Sequence, residues 1–187
     1  MLRTIPLQNL TSDAFRPFGT LVAVPDGAPS MASEFNASWR LPFACSGAEE
    51  IAIIRFPYRP IRFSLFERHH HVTQTYVALS GQPSVFVVAA PTPRRDAPDP
   101  DSVTAFLFKP GDAVILKRGT WHTLGRFPIA SEESTALMIT ERETTEDLIH
   151  ATALSRRAQR SDLVDLKAVI GMEFGVTLAV EDASRVS

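Results

Sequence analysis

Short runs of apolar residues, separated by polar or proline-containing turns, follow one another through most of the 187-residue chain. Runs that are rich in β-branched and aromatic residues and last only a few positions are typical of strands. The 14 prolines point the same way, because proline interrupts long helices. We therefore predict an all-β fold, with strands at residues 20–24, 51–56, 61–69, 74–79, 84–89, 103–108, 113–117 and 135–140.

Two short helices are expected outside this pattern. Ser12 is the predicted N-cap of a helix at residues 13–15. In the tail, residues 161–170 place their apolar side chains at helical spacing, and Gly171 follows as the predicted C-cap. Apolar positions then alternate over residues 174–180, which indicates one more strand.

Loops and the tail complete the predicted layout. The small polar residues at 25–38 predict a loop over the mouth of a barrel, and the prolines at 91–102 predict an exposed loop. No linker separates the tail from what precedes it. We therefore expect one domain over residues 1–187, with a barrel core at about 20–142 and a C-terminal helix and strand extension at about 143–182.

Composition excludes several classes of function. Charged residues make up 21% of the chain and the net charge is −2, so no basic field predicts binding to nucleic acid or anionic lipid. No apolar run approaches the roughly 20 residues of a membrane span, and the N-terminus lacks the apolar core of a signal peptide. Cys45 is the only cysteine, which excludes an intrachain disulfide. We expect a cytoplasmic protein that acts on a small molecule.

Two sets of residues at fixed spacing give the strongest chemical signal. The first reads E-x-H-x4-Q-x6-G and comprises Glu67, His69, Gln74 and Gly81. The second reads G-x5-K-x-G-x2-H and comprises Gly111, Lys117, Gly119 and His122. They resemble the two halves of a cupin site, H-x-H-x3–4-E-x6-G and G-x5-P-x-G-x2-H, in every spacing though not in every residue type. The resemblance implies a cupin-type double-stranded β-helix, or jelly-roll barrel, with short flanking helices.

Metal binding is one interpretation of these residues. Side chains alternate along a strand, so Glu67 and His69 share one face while His70 points the other way. Divalent Ni, Zn, Mn or Fe suits a set of one carboxylate, two imidazoles and one amide oxygen, here Glu67, His69, His122 and Gln74. The alternative is a group of polar side chains in the wet mouth of a barrel, without a metal.

Three basic residues are candidates for the substrate's charge or for proton transfer. Lys117 should share the face of Ile115, and an inward lysine needs an anion or acts as an acid or base. A lysine at the rim, with its amine in solvent, is the alternative. Arg68 and Arg40 are weaker candidates for a substrate carboxylate, since a guanidinium suits bidentate recognition.

A family resemblance comes from three short segments, Glu67-Arg68-His69, Thr73-Gln74 and Trp121-His122. Together they resemble the ureidoglycolate lyase family, called ureidoglycolate amidohydrolase in older usage. The similarity spans roughly residues 5–142 and includes the opening at 15–19. The chain departs from the family at Lys117, where some members have His, and at 36–40, which matches poorly a segment that supplies an Arg.

The resemblance implies cleavage of (S)-ureidoglycolate to glyoxylate and urea, late in allantoin and purine degradation. Within it, the candidate catalytic residues are Lys117, Glu67 and His122, and the candidate substrate-binding residues are Arg68, Arg40 and Gln74. Two other functions stay open: another metal-dependent cupin enzyme, an isomerase or oxygenase on a small carboxylate, and a non-catalytic cupin that binds a small acid. Barrels of this superfamily commonly pair, so we expect a homodimer.

Overall fold

Strands dominate the computed structural model of the protein, which describes residues 1–92 and 97–178. They are β1 (Leu2–Asn9), β2 (Gly19–Leu21), β3 (Met31–Ala32), β4 (Ala37–Ser38), β5 (Glu49–Phe56), β6 (Arg62–Phe63), β7 (Leu65–His69), β8 (Thr75–Gly81), β9 (Ser84–Ala89), β10 (Thr104–Phe108), β11 (Ala113–Leu116), β12 (Trp121–Thr123), β13 (Phe127–Pro128), β14 (Ser134–Glu141), β15 (Ser161–Asp165) and β16 (Glu173–Thr177). The helices are α1 (Ser12–Phe15), α2 (Arg142–Ala153) and α3 (Leu166–Ile170), with a 3₁₀ turn at Pro100–Ser102. The predicted all-β fold is confirmed. Within the described ranges, no helix is long and apolar enough to cross a membrane.

Two sheets build the barrel. The larger one runs β15-β7-β12-β9-β10-β1-β16-β6, with β13 attached to β9, and the smaller one runs β2-β11-β8-β14-β5. Strand β1 lies parallel to its neighbours β10 and β16, whereas the strands that carry the two motifs pair antiparallel. Neighbours in each sheet come from distant parts of the chain, as in a jelly roll. This is the cupin-type architecture that the motif spacing implied.

The central strands β9 and β10 of the larger sheet are buried on both faces, because their side chains alternate between two apolar clusters. On β9, Val85, Val87 and Ala89 belong to one cluster, while Phe86 and Val88 belong to the other. The second cluster also takes side chains from β8 and β11 of the smaller sheet, so it lies between the two sheets. We call this space the barrel interior, defined by Phe15, Phe18, Tyr76, Ala78, Phe86, Val88, Phe106, Phe108, Val114 and Leu116.

A turn between β8 and β9 explains the glycine that ends the first motif. Gly81 has a φ of 87°, and a Cβ atom at this position would lie 2.3 Å from the carbonyl oxygen of Glu133. Only glycine accepts both the positive φ and the close approach of the neighbouring backbone. The backbone conformation therefore explains why the motif has glycine at position 81, and this residue needs no role in the chemistry.

The predicted helix over residues 161–170 is wrong in its first half. Residues Ser161–Asp165 form β15, which pairs antiparallel with β7, and α3 begins only at Leu166. Leu163, one of the apolar positions behind the helical pattern, is 49% exposed. Pairing with β7 overrode the helical periodicity of the local sequence in this half of the segment. The predicted C-cap is confirmed, since Gly171 is left-handed with a φ of 69°.

Other boundaries also differ from the prediction. Residues 61–69 form two strands, β6 and β7, which lie far apart in the larger sheet. Ile51 and Ile53, expected inside a buried strand, are 69% and 62% exposed, because β5 is an edge strand whose alternate side chains point away from the barrel interior. Thr11 rather than Ser12 caps α1. The strand expected at 174–180 is β16, and its last two predicted residues lie outside the described part of the chain.

Candidate active site

Two neighbouring strands bring the two motifs together. Strands β7 and β12 pair antiparallel with His122 directly opposite Glu67, so these two side chains project from the same face of the sheet. His69 shares that face because it lies two residues beyond Glu67. One ligand atom from each of the three residues lies within 4.8 Å of the others. The structure therefore joins Glu67, His69 and His122 in one cluster, which we call the triad.

A backbone turn holds the second motif against the first. The amide of Gly119 donates a hydrogen bond to the carbonyl oxygen of His69 at 2.8 Å, and Gly119 has a φ of 79°. The neighbouring hydroxyl of Thr120 donates to the carbonyl of Phe18 at 2.7 Å. These bonds fix the start of β12, and the spacing between Gly119 and His122 then places the imidazole beside Glu67.

Distances within the triad are too long for direct hydrogen bonds. The Nδ1 atom of His122 lies 3.6 Å from Oε1 of Glu67, and the Nε2 atom of His69 lies 4.0 Å from the same oxygen. The two imidazole rings are 5.1 Å apart between centroids. The Nε2 atoms of both rings are buried and have no hydrogen-bond partner in the part of the chain that the structure describes.

Gln74 adds a fourth polar group beside the triad. Its amide nitrogen donates to Oγ1 of Thr140 and to Sδ of Met138, both at 3.3 Å. These bonds direct the amide so that Oε1 remains buried without a partner among the described residues. The same side chain acts on His69, whose pKa it raises against a larger opposing effect of burial. Gln74 is therefore placed to offer a neutral oxygen to the triad.

Burial shifts the pKa of every triad residue towards the neutral form. Desolvation raises the pKa of Glu67 to about 7, against the nearby positive charge of Arg126, which lowers it. Desolvation lowers the pKa of His69 to about 4, with His70 adding to the effect. It also holds the pKa of His122 well below its usual value. At neutral pH both imidazoles are uncharged, and Glu67 is divided between its protonated and ionised forms.

The residues present fit a divalent metal. An unpaired buried polar atom costs about 1–3 kcal/mol, and three such atoms belong to the triad histidines and to Gln74: Nε2 of His69, Nε2 of His122 and Oε1 of Gln74. Neutral imidazoles and a carboxylate suit first-row metals, and metal coordination would satisfy these atoms together. The residue types do not select among Ni, Zn, Mn and Fe.

Three basic residues expected at the site lie elsewhere. Lys117 is exposed, because β11 ends one residue earlier, and its amine donates to the carbonyl of Arg16 at 2.6 Å. Arg68 is buried on the opposite face of β7, where Nε donates to Asp162 at 2.8 Å and the guanidinium stacks 4.5 Å from the ring of Trp121. Arg40 is exposed in the segment before β5. None of the three is brought to the triad.

A different arginine, Arg126, lies in the barrel interior and had no motif to mark it. It is 2% exposed, and its guanidinium carbon lies 3.4 Å from the ring centroid of Phe86 and 4.2 Å from that of Tyr76. Its Nε and Nη2 atoms are buried without a hydrogen-bond partner in the described ranges. Burial lowers the pKa of Arg126 to about 10, while the neighbouring Tyr76 and Glu67 raise it, so the group stays charged at neutral pH. This is a buried positive charge that lacks a full set of partners.

Comparison with known proteins places these residues in a family context. A profile of the family described as "Ureidoglycolate lyase" matches residues 2–156. The ureidoglycolate lyase of Pseudomonas paraeruginosa (strain DSM 24068 / PA7) is 32% identical over 131 residues, which cover 65% of this chain and 75% of that protein. The ureidoglycolate lyase of Azotobacter vinelandii (strain DJ / ATCC BAA-1303) is 30% identical over 130 residues, 65% of this chain and 76% of that protein.

Solved structures of Bacillus subtilis oxalate decarboxylase align with 64% of this chain and 34% of theirs, at 12% identity and a TM-score of 0.37. That alignment is too loose to locate individual site residues. The profile match is more informative, because the triad and Gln74 all lie within residues 2–156.

Proposed function

Since the chain belongs to the ureidoglycolate lyase family, we propose that it is a lyase that cleaves ureidoglycolate to glyoxylate and urea. The family resemblance seen in the motifs is confirmed by the profile and by the named relatives. The observation that supports the proposal most directly is the triad of Glu67, His69 and His122 in the barrel interior, inside the matched segment. The comparisons do not favour an isomerase, an oxygenase or a non-catalytic binding protein.

The reaction needs one proton to move from oxygen to nitrogen. The reacting carbon of ureidoglycolate bears a hydroxyl, a carboxylate and a urea nitrogen. Loss of the hydroxyl proton lets the oxygen form the carbonyl of glyoxylate, while the carbon–nitrogen bond breaks and its electron pair goes to urea. The urea nitrogen then takes a proton, so atoms and charge balance without an oxidant or reductant.

Glu67 is the group that suits this transfer. A pKa of about 7 allows the carboxylate to accept the hydroxyl proton and to return it to the nitrogen near neutral pH. His69 and His122 are poor acids, because burial keeps both imidazoles uncharged. Their role is to present nitrogen lone pairs to the site, and His122 in particular lies 3.6 Å from the carboxylate that carries the proton.

The triad and Oε1 of Gln74 are the groups that would hold a divalent metal. When bound there, a metal supplies Lewis acidity that lowers the pKa of the substrate hydroxyl. Glu67 would then both help to hold the metal and carry the proton. A bound cation would lower the pKa of Glu67, so the value of about 7 describes the metal-free site.

Arg126 is the best-placed group for the substrate's carboxylate. Its positive charge is buried, two of its N–H groups lack partners among the described residues, and its field reaches Glu67. Hydrogen bonds from a guanidinium to a carboxylate are strong because both groups are charged. Arg126 thereby replaces Lys117, Arg68 and Arg40, which the sequence suggested for this role.

The direct test is incubation of the purified protein with (S)-ureidoglycolate. We expect glyoxylate and urea in equal amounts, and less of both after treatment with a chelator. Consumption of oxygen, or recovery of unchanged substrate under all metal conditions, would contradict the proposal. The reaction would place the protein in allantoin and purine degradation, and the single free cysteine favours the cytoplasm.

Replacing Arg126 by methionine should weaken substrate binding. We expect KM to rise roughly 10- to 100-fold with a smaller change in kcat, since a hydrogen bond to a charged group contributes about 1.5–3 kcal/mol. Stability should not fall, because removal of an incompletely paired buried charge is often neutral or favourable. Arg55→Met is the matched control, since Arg55 pairs with Glu133 on the surface. An unchanged KM for Arg126→Met would remove the residue from the substrate site.

A homodimer is part of the proposal, formed through the outer face of the smaller sheet. On this face Ile53 of β5 lies opposite Leu137 of β14, which lies opposite Val77 of β8, and Ile51 lies opposite Ile139. The row of apolar side chains crosses three strands and points away from the barrel interior. An exposed apolar patch of this kind suits a self-complementary contact between two copies.

Changing Ile53 to aspartate should split the dimer. Light scattering should give twice the 20.6 kDa chain mass for the wild type and 20.6 kDa for Ile53→Asp, because a charge at the centre of the apolar row cannot be buried without a partner. Leu154→Asp introduces the same charge at another exposed apolar position and should remain dimeric. A wild-type mass of one chain would contradict the dimer.

A further inference from the structure

The C-terminal extension places one of its residues against the triad. Strand β15 lies beside β7 at the edge of the larger sheet, with Ser161 directly opposite His69. Directly opposed residues of an antiparallel pair project from the same face, so Ser161 points to the side of the sheet that carries the triad. The profile match ends at residue 156, and β15 therefore lies outside the segment that the family profile covers.

A short hydrogen bond joins the two residues. The hydroxyl of Ser161 lies 2.9 Å from Nδ1 of His69, and both side chains are buried. It is the one hydrogen bond that the Ser161 side chain makes within the described ranges. The other ring nitrogen, Nε2, faces Glu67 at 4.0 Å and has no such partner there. Nδ1 of His69 is thus held by the Ser161 hydroxyl, while Nε2 is directed into the triad.

Anchors on both sides fix the position of Ser161. The next residue, Asp162, accepts hydrogen bonds from Arg68 and Arg157, both at 2.8 Å. The preceding residue, Arg160, donates to the fully buried carboxylate of Glu141. The backbone adds a bond from the amide of His70 to the carbonyl of Arg160 at 3.0 Å. The hydroxyl is therefore held by a rigid strand rather than by a mobile tail.

We propose that Ser161 is a positioning residue for His69. By accepting a hydrogen bond from Nδ1–H, its hydroxyl fixes the ring orientation and the tautomer, and it leaves the Nε2 lone pair directed towards Glu67 and His122. Histidines that bind metals commonly have their second nitrogen held in this way, and loss of the partner costs roughly 10- to 100-fold in metal affinity or activity. The role in turnover rests on the proposed function, whereas the effect on the ring does not.

The test uses four variants of the full chain. Ser161→Ala removes the hydroxyl, and Ser161→Thr and Ser161→Val form a pair of equal shape that differ in whether a hydroxyl is present. Leu163→Ala alters the same strand two residues away, at a half-exposed side chain that lies opposite Glu67 rather than His69. Thermal melting shows first that each variant is folded.

The primary readout is nitrogen NMR of the His69 ring in metal-free protein. We expect one tautomer, with Nδ1 protonated and Nε2 free, in the wild type, Ser161→Thr and Leu163→Ala. Ser161→Ala and Ser161→Val should show a mixture of tautomers. Calorimetric titration with Zn²⁺ and Mn²⁺ should give about 10- to 100-fold weaker binding for the same two variants. A single unchanged His69 tautomer in Ser161→Ala would overturn the inference.

Turnover of ureidoglycolate separates this inference from the proposed function. If the wild type is active, Ser161→Ala should lower kcat in step with its metal affinity, and Ser161→Thr should restore it. If the wild type is inactive while the His69 spectrum still depends on the Ser161 hydroxyl, the proposed function fails and the positioning role stands. An active enzyme whose Ser161→Ala variant keeps both the tautomer and full kcat would leave the proposed function intact and reject the role of Ser161.

Discussion

Replacement of His122 by alanine is expected to remove most of the turnover of ureidoglycolate while the protein stays folded. His122 is fully buried and lies opposite Glu67 in the sheet, and its Nε2 atom has no hydrogen-bond partner among the described residues. Loss of a residue that takes part in the acid–base or metal chemistry typically costs about 10²–10⁴-fold in rate, or about 3–5 kcal/mol of barrier. Initial rates of glyoxylate release provide the measurement.

Two further variants separate chemistry from structure at this position. His122→Asn keeps a polar side chain of similar size, which limits the cavity that alanine leaves, and it should be as inactive as His122→Ala. His150→Ala removes an exposed histidine from α2 and should keep full activity. If His122→Asn turned over substrate at a near-normal rate, or if both variants lost activity only because their melting temperatures collapsed, His122 would be a structural residue.

The fold was predictable because jelly-roll strands are short and their boundaries are marked by turns. The segment 84–89 was located to the residue, since it is a short valine-rich apolar run that is buried on both faces. The spacing of the two motifs located the triad, and the motif glycines Gly81 and Gly119 have positive φ values that strongly favour glycine. At these positions the residue types in the sequence match the burial and the backbone conformation that the fold requires.

What the sequence could not supply is information about which distant strands become neighbours. The helical spacing of residues 161–170 was real, but pairing with β7 converted half of it into a strand. Arg68 adjoins the triad in sequence and faces away from it, because Asp162 of the tail holds it on the other side of β7. Arg126 carries no motif, and its burial between Phe86 and Tyr76 follows from the closing of the barrel.

One physical cause explains why Arg126, and not Arg68, lies near the triad. An arginine within a motif lies near the site only if its side chain projects from the same face of the strand. Arg68 lies between Glu67 and His69, so its side chain projects from the opposite face. Arg126 lies beyond β12, where the chain has left the strand and can turn its side chain inward. The positive charge beside the buried Glu67 carboxyl therefore comes from a loop residue, Arg126, rather than from a residue of the motif.

Glu67→Gln should abolish turnover to about the same extent as His122→Ala, since it removes the group that carries the proton. In the wild type, kcat/KM measured against pH should rise as the Glu67 carboxyl ionises, through about 7 in metal-free protein and at lower pH with a metal bound, because the base must be ionised to accept the hydroxyl proton. Glu34→Gln, which neutralises an exposed acid, should leave the rate and its pH profile unchanged. A wild-type rate that falls as the pH is raised through this range would exclude Glu67 as the base.

The same substitution should stabilise the protein at high pH. Burial raises the pKa of Glu67 from 4.5 to about 7 in the folded chain, so the folded protein binds the proton more tightly than the unfolded chain does. This group favours folding fully below about pH 4.5, and that contribution is lost as the pH rises through about 7. At roughly 1.4 kcal/mol per unit of pKa, ionisation of Glu67 costs the folded state on the order of 2–4 kcal/mol at high pH.

Urea unfolding with a chelator present should therefore show Glu67→Gln more stable than the wild type at about pH 8 and nearly equal to it at about pH 4. Equal stability of the two proteins at both pH values would show that the Glu67 carboxyl titrates normally and is not the buried base of the site.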